Sequence, residues 1–320
     1  MAKFIVKRII NMIPVLLIVS FLVFMMVHMM PGDPARVIAG DSATEEDIER
    51  IRVAYGFDQP LVTQYFNYMR NIFKGDFGTS FKTGRPVSED MAIRFPNTLL
   101  LASVATVIAV VFGVGIGLIS ATKRNSLLDN TCMVLALVGL STPPFYLGMM
   151  LMLIVCVNLQ WLPISAEVSF TGMILPALTL CARSLATIAR MTRSSMLEVL
   201  SQEYIMTARA QGFSERRVIF GHALKNSMNS IVTVAGIQFG SLLGGSVITE
   251  KVYGWPGLGE LIITAIKARD FPVVQMAVLV IACSFVLVKQ NNQTTTSNFP
   301  CNFNFTVSNM NRFNQGIDHG

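Results

Sequence analysis

Charge is scarce in this sequence: Asp, Glu, Lys and Arg supply 14% of its 320 residues, against 52% that are hydrophobic. A surface wetted on all sides needs roughly a quarter charged residues, so the composition, with its mean hydropathy of +0.55, argues against a soluble domain. Histidine is scarcer still, with His28, His222 and His319 the only three. No HExxH pair occurs and no nucleophile stands beside a base, which argues against a membrane enzyme. A GxxxxGK[ST] phosphate loop is also missing, so this chain is not expected to hydrolyse ATP. Cysteines are few and unpatterned: Cys132, Cys156, Cys181 and Cys283 lie in apolar segments, where a thiol packs as a small hydrophobe, and Cys301 stands apart in a polar tail. Neither a disulfide framework, a metal site nor a cofactor fingerprint is expected. The net charge of +6 would suit nucleic acid, but the basic residues are dispersed among hydrophobic blocks and form no stripe.

What is abundant is apolar sequence in blocks near bilayer length. These blocks predict an all-α polytopic membrane protein with about six transmembrane helices, at Ile9 to Met30, Asn97 to Ile119, Cys132 to Leu159, Gly172 to Met191, Ser227 to Thr249 and Phe271 to Val288. The basic start, with Lys3, Lys7 and Arg8, resembles a secretory signal, but the apolar stretch behind it is too long, so it reads as an uncleaved first helix. Lys3, Lys7 and Arg8, then Lys123 and Arg124, then Arg193, Arg209, Arg216, Arg217 and Lys225 mark the cytoplasmic ends, while Asn158 to Thr171 has no Lys or Arg. Both termini are therefore expected in the cytoplasm. The parts divide as residues 1–30 (first helix), 31–96 (external loop), 97–288 (core of the helical bundle, with a cytoplasmic loop at 201–226) and 289–320 (polar tail).

The external loop carries helix signals of its own. Ser42 with Glu45 fits a capping box, Ile48, Ile51 and Tyr55 recur on one face, and Gly56 is a stop. A second helix is expected from Pro60, with Leu61, Tyr65, Met69 and Ile72 on one side. Such a cap either lies at the membrane interface or receives a delivery protein. Around His28, Met25, Met26, Met29 and Met30 read as hydrophobic filling rather than a soft metal site. Glycines at 113, 115 and 117, and at 236, 240 and 244, read as helix-packing positions. In Gly254 to Gly259, GWPGLG, the Gly and Pro residues predict a turn and Trp255 an interface anchor.

The most informative segment is SQEYIMTARAQGFSERRVIFGHALKN, Ser201 to Asn226, too polar to span and broken at Gly212 into helix, turn and helix. Its run from Glu203 to Gly212, followed by His222-Ala-Leu-Lys-Asn226, resembles the EAA loop of binding-protein-dependent ABC transporter permeases in the dipeptide, oligopeptide and nickel branch. MPGDPARVIAG (Met30 to Gly40), GDFGTS (Gly75 to Ser80), ARMTRSSMLEVL (Ala189 to Leu200) and GGSVITEKVYGWPGLG (Gly244 to Gly259) follow that branch in order, to about Val288. The sequence departs from the branch at Ser227-Met-Asn-Ser230, where a more apolar run is usual.

The resemblance implies a type I importer permease whose EAA helix docks into a groove of a separate ATPase. By motif position Glu203, Ala208, Ala210 and Gly212 carry the coupling: small alanines for close docking, Glu203 for a charged contact, Gly212 for the turn. It also implies a second homologous permease, two ATP-binding subunits or domains and an external solute-binding protein as partners, beside the lipid bilayer. The first loop is most similar to peptide and glutathione permeases, with nickel or another small solute as the alternative cargo; a passive channel would have no use for an EAA loop. Arg183, midway along the fourth helix, either faces the translocation pathway or snorkels. From Val273 only sixteen positions precede Lys289, and the Asn-rich tail that follows is expected to be largely disordered and the product of a frameshift or rearrangement, unless a short, tilted helix is tolerated. On the frameshift reading, another reading frame of the gene at codon 289 resumes an apolar stretch with a family-like end; two frames without one would rule it out.

Overall fold

A computed structural model describes residues 2–29, 33–40, 43–164 and 167–298, and apart from one isolated bridge between Thr79 and Pro86 the regular structure among them is helical. The fold is all-α and polytopic. Helix α1 (Ala2–His28) leads to a cap of α2 (Pro34–Ala39), α3 (Glu45–Tyr55) and α4 (Leu61–Lys74). The bundle follows with α5 (Val87–Thr122), α6 (Leu127–Ser141), α7 (Pro144–Leu151), α8 (Phe170–Leu200), α9 (Glu203–Ala210), α10 (Leu224–Gly245), α11 (Val247–Tyr253), α12 (Leu258–Ala268) and α13 (Phe271–Asn298).

Three of these, α5, α8 and α13, are long and apolar enough to cross a membrane, and α1 contributes a shorter apolar stretch, Met12–Met26. Two further candidates are bent. The expected single helix from Cys132 to Leu159 is broken instead into α6 and a Pro144–Asn158 segment that turns by 104° and ends as a π-helix. Thr142-Pro143-Pro144 explains the break, because proline removes a donor and disfavours helical backbone at the residue before it. Likewise the helix expected from Ser227 to Thr249 bends by 56° between α10 and α11, beside Gly244 and Gly245. Helix α5 begins ten residues earlier than expected and runs through Pro96.

The core is the α5–α8 contact, and glycine makes it close. A Cβ on Gly117 would lie 2.5 Å from the Ala189 carbonyl, and one on Gly113 would lie 3.0 Å from that of Leu185. Gly236 faces the Asn292 amide and Gly240 faces Phe285 and Val288, so these two bring α10 against α13; Gly115 and Gly244 meet nothing within 4 Å.

Two buried carboxylates pin this core at opposite ends. At the outer end Glu250, fully buried, accepts from Thr98 Oγ1 (2.9 Å), Ser246 Oγ (2.9 Å) and the backbone N–H of Gly259 (2.7 Å). Its carboxylate thereby caps the first turn of α12 and ties it to α5. Trp255 is fully buried beside it and donates to the Asn97 carbonyl at 3.1 Å, so it is a core residue and not the expected interface anchor. At the inner end Asp129, 1% exposed, receives a bidentate pair from Arg193 (2.7 Å each), a hydrogen bond from Ser120 and one from the Asn125 N–H (2.9 Å).

The cap is attached by similar means. Asp270 accepts from Ser80 Oγ (2.5 Å) and the Phe81 N–H (3.0 Å), fastening GDFGTS to the α12–α13 junction. Tyr65 Oη lies 2.9 Å from Ser20 Oγ, and His28 Nε2 lies 3.1 Å from Gln64 Oε1, which joins α4 to α1 and gives His28 a structural partner. Helix α3 is capped by a Thr44–Asp47 box, two residues beyond the expected Ser42–Glu45 pair; Ser42 lies outside the described residues. Gly56 ends α3 at φ +71°, as the sequence suggests.

The tail differs from expectation over residues 289–298, which continue α13 as helix. Asn292, almost buried, donates to the Thr233 carbonyl at 2.6 Å across the gap left by Gly236. Residues 299–320, with Cys301 and His319, lie outside the described residues.

Removing the Glu250 carboxylate strands the Gly259 N–H and the Thr98 and Ser246 hydroxyls in a dry site. Glu250→Ala is expected to lower stability by on the order of 3 kcal/mol, because buried donors would lose their acceptor. Glu250→Gln keeps one acceptor and should lose less. Thermal unfolding of the detergent-solubilised chain measures both, and an unshifted Tm in Glu250→Ala would contradict the pin.

Candidate functional site

The site is built where α8 leaves the bundle. Helix α9 follows within two residues of Leu200, ends at Ala210, and Gly212 takes φ +82°, a conformation that an L side chain rarely adopts. The Gly212 N–H bonds to the Arg209 carbonyl and the Phe213 N–H to that of Ala208, closing the turn. The chain returns through a π-helical stretch, Arg217–Ala223, into α10.

One face of this hairpin is dry. Ile205 (0% exposed), Ala208 (6%), Val218 and Ala223 close over Ala121 and Met196, so the loop sits on the inner ends of α5 and α8. Ser227 Oγ adds a 3.4 Å contact to the Met196 sulfur. The other face is open: Glu203, Tyr204, Met206, Thr207, Arg209 and Ala210 are exposed, and Phe220 presents its ring from the returning stretch.

The expected coupling residues therefore divide. Glu203, Ala210 and Gly212 lie on the open side or at the turn, but Ala208 faces inward, so its small size serves contact with the bundle rather than docking. The three-residue spacing of Ile205 and Ala208 places them on one helical face, and that periodicity was the available signal. Met206 and Phe220, large apolar side chains left in the open, were not singled out from sequence.

Polar contacts hold the hairpin's shape. Arg209 spans the turn to Glu215, with Nε to Oε1 at 2.7 Å and Nη2 to Oε2 at 3.3 Å. This hydrogen-bonded guanidinium holds the Glu215 carboxyl below the usual glutamate range, and the carboxylate raises Arg209 in turn. Glu215 has a depressed folded pKa, so the contribution of this pair is present above the unfolded glutamate pKa and lost as pH falls through the folded one. Both groups are at the surface, so the effect is small. The Arg217 guanidinium lies 4.7 Å over the Phe213 ring, which stacks on His222, and Asn226 donates to Tyr204 Oη at 2.7 Å.

Arg183 lies elsewhere, on the exposed side of α8, and among the described residues its side chain makes no hydrogen bond or ion pair. The structure does not bring it to the coupling hairpin.

The chain matches the family described as binding-protein-dependent transport system inner membrane component over residues 113–289, and that family's N-terminal component over residues 1–102. It belongs to this family. The glutathione transport system permease protein GsiC of Salmonella typhimurium (strain LT2) is 48% identical over 288 residues, covering 90% of this chain and 94% of that protein. GsiC of Escherichia coli (strain K12) is 46% identical over the same length and shares. Among solved structures, the MetNI methionine ABC transporter in an inward-facing conformation aligns with a TM-score of 0.53 at 18% identity, over 63% of this chain and 92% of that one. An amino acid ABC transporter aligns at 0.51 and 18%, over 66% and 93%. At that identity these two support the fold, and family membership makes the chain a permease subunit of an ABC importer.

The inward face of Ala208 has a direct consequence. Ala208→Leu should overpack the cluster around Met196 and cost about 1–3 kcal/mol, whereas Ala210→Leu, pointing outward, should leave the fold unchanged. Hydrogen exchange over residues 203–223 measures the difference; equal protection in the two variants would show that Ala208 is not a core position.

Proposed function

We propose that this chain is one of two permeases in an importer that carries small peptides of the glutathione kind, driven by ATP hydrolysis on separate subunits. Its named relatives transport glutathione and match it over nine-tenths of its length, which is the observation that carries the cargo assignment. The expected assembly contains a second homologous permease, two ATP-binding subunits or domains and an external solute-binding protein, with both termini of this chain in the cytoplasm.

The coupling surface is the open face of α9 with the turn at Gly212. Met206 is 61% exposed and Phe220 59%, and apolar rings and thioethers left in water beside the charged Glu203 favour a protein groove as their cover. Glu203 supplies a charged contact, Ala210 a close approach, and Gly212 the left-handed backbone that aims α9. Force on α9 passes through Ile205 and Ala208 to Met196 on α8 and Ala121 on α5, so docking and bundle motion share one contact. Arg183 faces the translocation pathway, since an unpaired arginine at membrane depth requires water or a partner.

The match to the family ends at residue 289, the position from which the sequence reads as a foreign tail. This coincidence supports a frameshift or rearrangement at that point.

Gly212→Val forces a β-branched residue into positive φ and should redirect α9, at about 1–3 kcal/mol of local strain. The expected result in the assembled complex is normal membrane insertion with uptake and binding-protein-stimulated ATP hydrolysis both reduced by tenfold or more, about what 1.4 kcal/mol of lost coupling would produce. Unchanged uptake would reject the coupling role.

A further inference from the structure

Helix α8 carries a polar line along a side left open among the described residues. Arg183, Thr187, Arg190 and Ser194 recur at intervals of four, three and four residues, which places them on one face; Arg183, Arg190 and Ser194 are exposed and Thr187 is half-buried. Among the described residues neither guanidinium has an ion-pair or hydrogen-bond partner.

Their depth follows from the Asp129–Arg193 pair. Asp129 lies in the first turn of α6, directly after the basic Lys123-Arg124 turn, so Arg193 marks the membrane edge. Arg183 lies ten residues outward from it, about 15 Å along the axis, half of the roughly 30 Å hydrocarbon layer. Arg190 lies three residues outward, about 5 Å. An arginine at half depth with no partner is costly in lipid, and too deep for its stem to reach either surface easily, so this face meets water or another chain. A neutral or cationic cargo would gain nothing from two such charges; carboxylates would gain charge-assisted, bidentate hydrogen bonds.

The spacing narrows the class. Seven residues separate Arg183 from Arg190, about 10 Å along the helix, and an extended tripeptide spans about 10 Å at 3.3–3.6 Å per residue. An ordinary tripeptide carries a carboxylate at one end only, with an ammonium at the other. A γ-glutamyl tripeptide has a carboxylate at each end, with the ammonium beside one of them. Resting on the peptide-import reading above, we propose that Arg183 and Arg190 form a two-point track that selects peptides with a carboxylate at both ends, with Thr187 between them, its hydroxyl donating to the Arg183 carbonyl at 3.0 Å and its lone pairs left to accept from a peptide N–H. The track is one wall of the path, and the second permease completes it.

The test uses the full complex with its binding protein in proteoliposomes, comparing ATP-dependent uptake of glutathione with that of glutathione amidated at the glycine carboxylate, in the native chain and in Arg183→Gln, Arg190→Gln and Arg183→Lys. The native complex is expected to move the amide about tenfold more slowly, the worth of one charge-assisted hydrogen bond. In one of the two Gln variants glutathione uptake should fall to the amide's rate and the penalty for amidation should vanish, with assembly of the complex unchanged. Arg183→Lys, which keeps the charge without the fork, should retain an intermediate penalty. An amidation penalty that is absent in the native complex, or that persists in both Gln variants, overturns the track. Parallel loss of both substrates also overturns it, in favour of a structural role. A native complex that moves neither substrate removes the cargo assignment itself, which is a separate result.

Discussion

Asp129 is the residue on which the inner half of the molecule depends. Burying a carboxylate is unfavourable unless it is paired and its remaining lone pairs are satisfied, and here Arg193, Ser120 and the Asn125 N–H satisfy them. Those four groups belong to α5, the α5–α6 turn, α6 and α8, so one charge fixes three helices and the turn between them. An unpaired Arg193 or Asp129 would be destabilising by about 3–5 kcal/mol, which makes the arrangement of these helix ends nearly all-or-none. Arg193 lies three residues before Met196 on α8 and Ser120 lies next to Ala121 on α5, the two residues on which the α9 hairpin packs. The hairpin thus rests on a fixed platform instead of on flexible helix ends.

Glu250 does the corresponding work at the outer face, although with neutral partners. Its carboxylate stands where the first turn of α12 would otherwise leave N–H groups unsatisfied, and Thr98 links it to α5 while also accepting from the Leu258 N–H. Between these two anchors α5 and α8 approach most closely at glycine, with Leu101, Leu180 and Ile188 filling the contact around it. Gly113 and Gly117 bring the backbones together without any polar group to pair, which is how helices associate where the surrounding solvent is itself apolar.

What the sequence made legible and what it did not divide along a physical line. Apolar blocks and polar interruptions are one-dimensional signals, and they located the long helices and the polar hairpin at 201–226. The breaks at Thr142-Pro143-Pro144 and at Gly245-Ser246 were also written in the chain, but hydropathy summed over a window passes over them. The burial of Trp255 was not legible, since an aromatic beside Gly and Pro reads equally as an interface anchor until Asn97 is seen to accept its N–H. The inward face of Ala208 was legible in principle from its spacing with Ile205, yet a motif match assigns a role without assigning a direction. The tail shows a different limit. Asn and Thr are poor helix formers, and one contact that supports the continuation of α13 is the place for Asn292 opened by Gly236, on a helix far away in sequence.

Helix α8 is where these constraints meet. It runs unbroken for 31 residues, about 45 Å at 1.5 Å per residue, from the outer loop to within two residues of α9. One side is bound to α5 along most of its length, one end is fixed by Arg193, and the remaining side carries Arg183 and Arg190 in the open. Around Gly113 and Gly117 the close approach to α5, and at its C-terminal end the Arg193 salt bridge, resist a local bend of α8, whereas Pro176 interrupts its hydrogen bonding near the start. Movement of the hairpin must therefore displace α5, α6 and α8 as one body. Arg183 and Arg190 would travel with that body, so on the roles proposed above for the hairpin and for the arginine track one unit would serve both. Such a link would need no relay of side chains between the two places, only the close packing of α8 on α5.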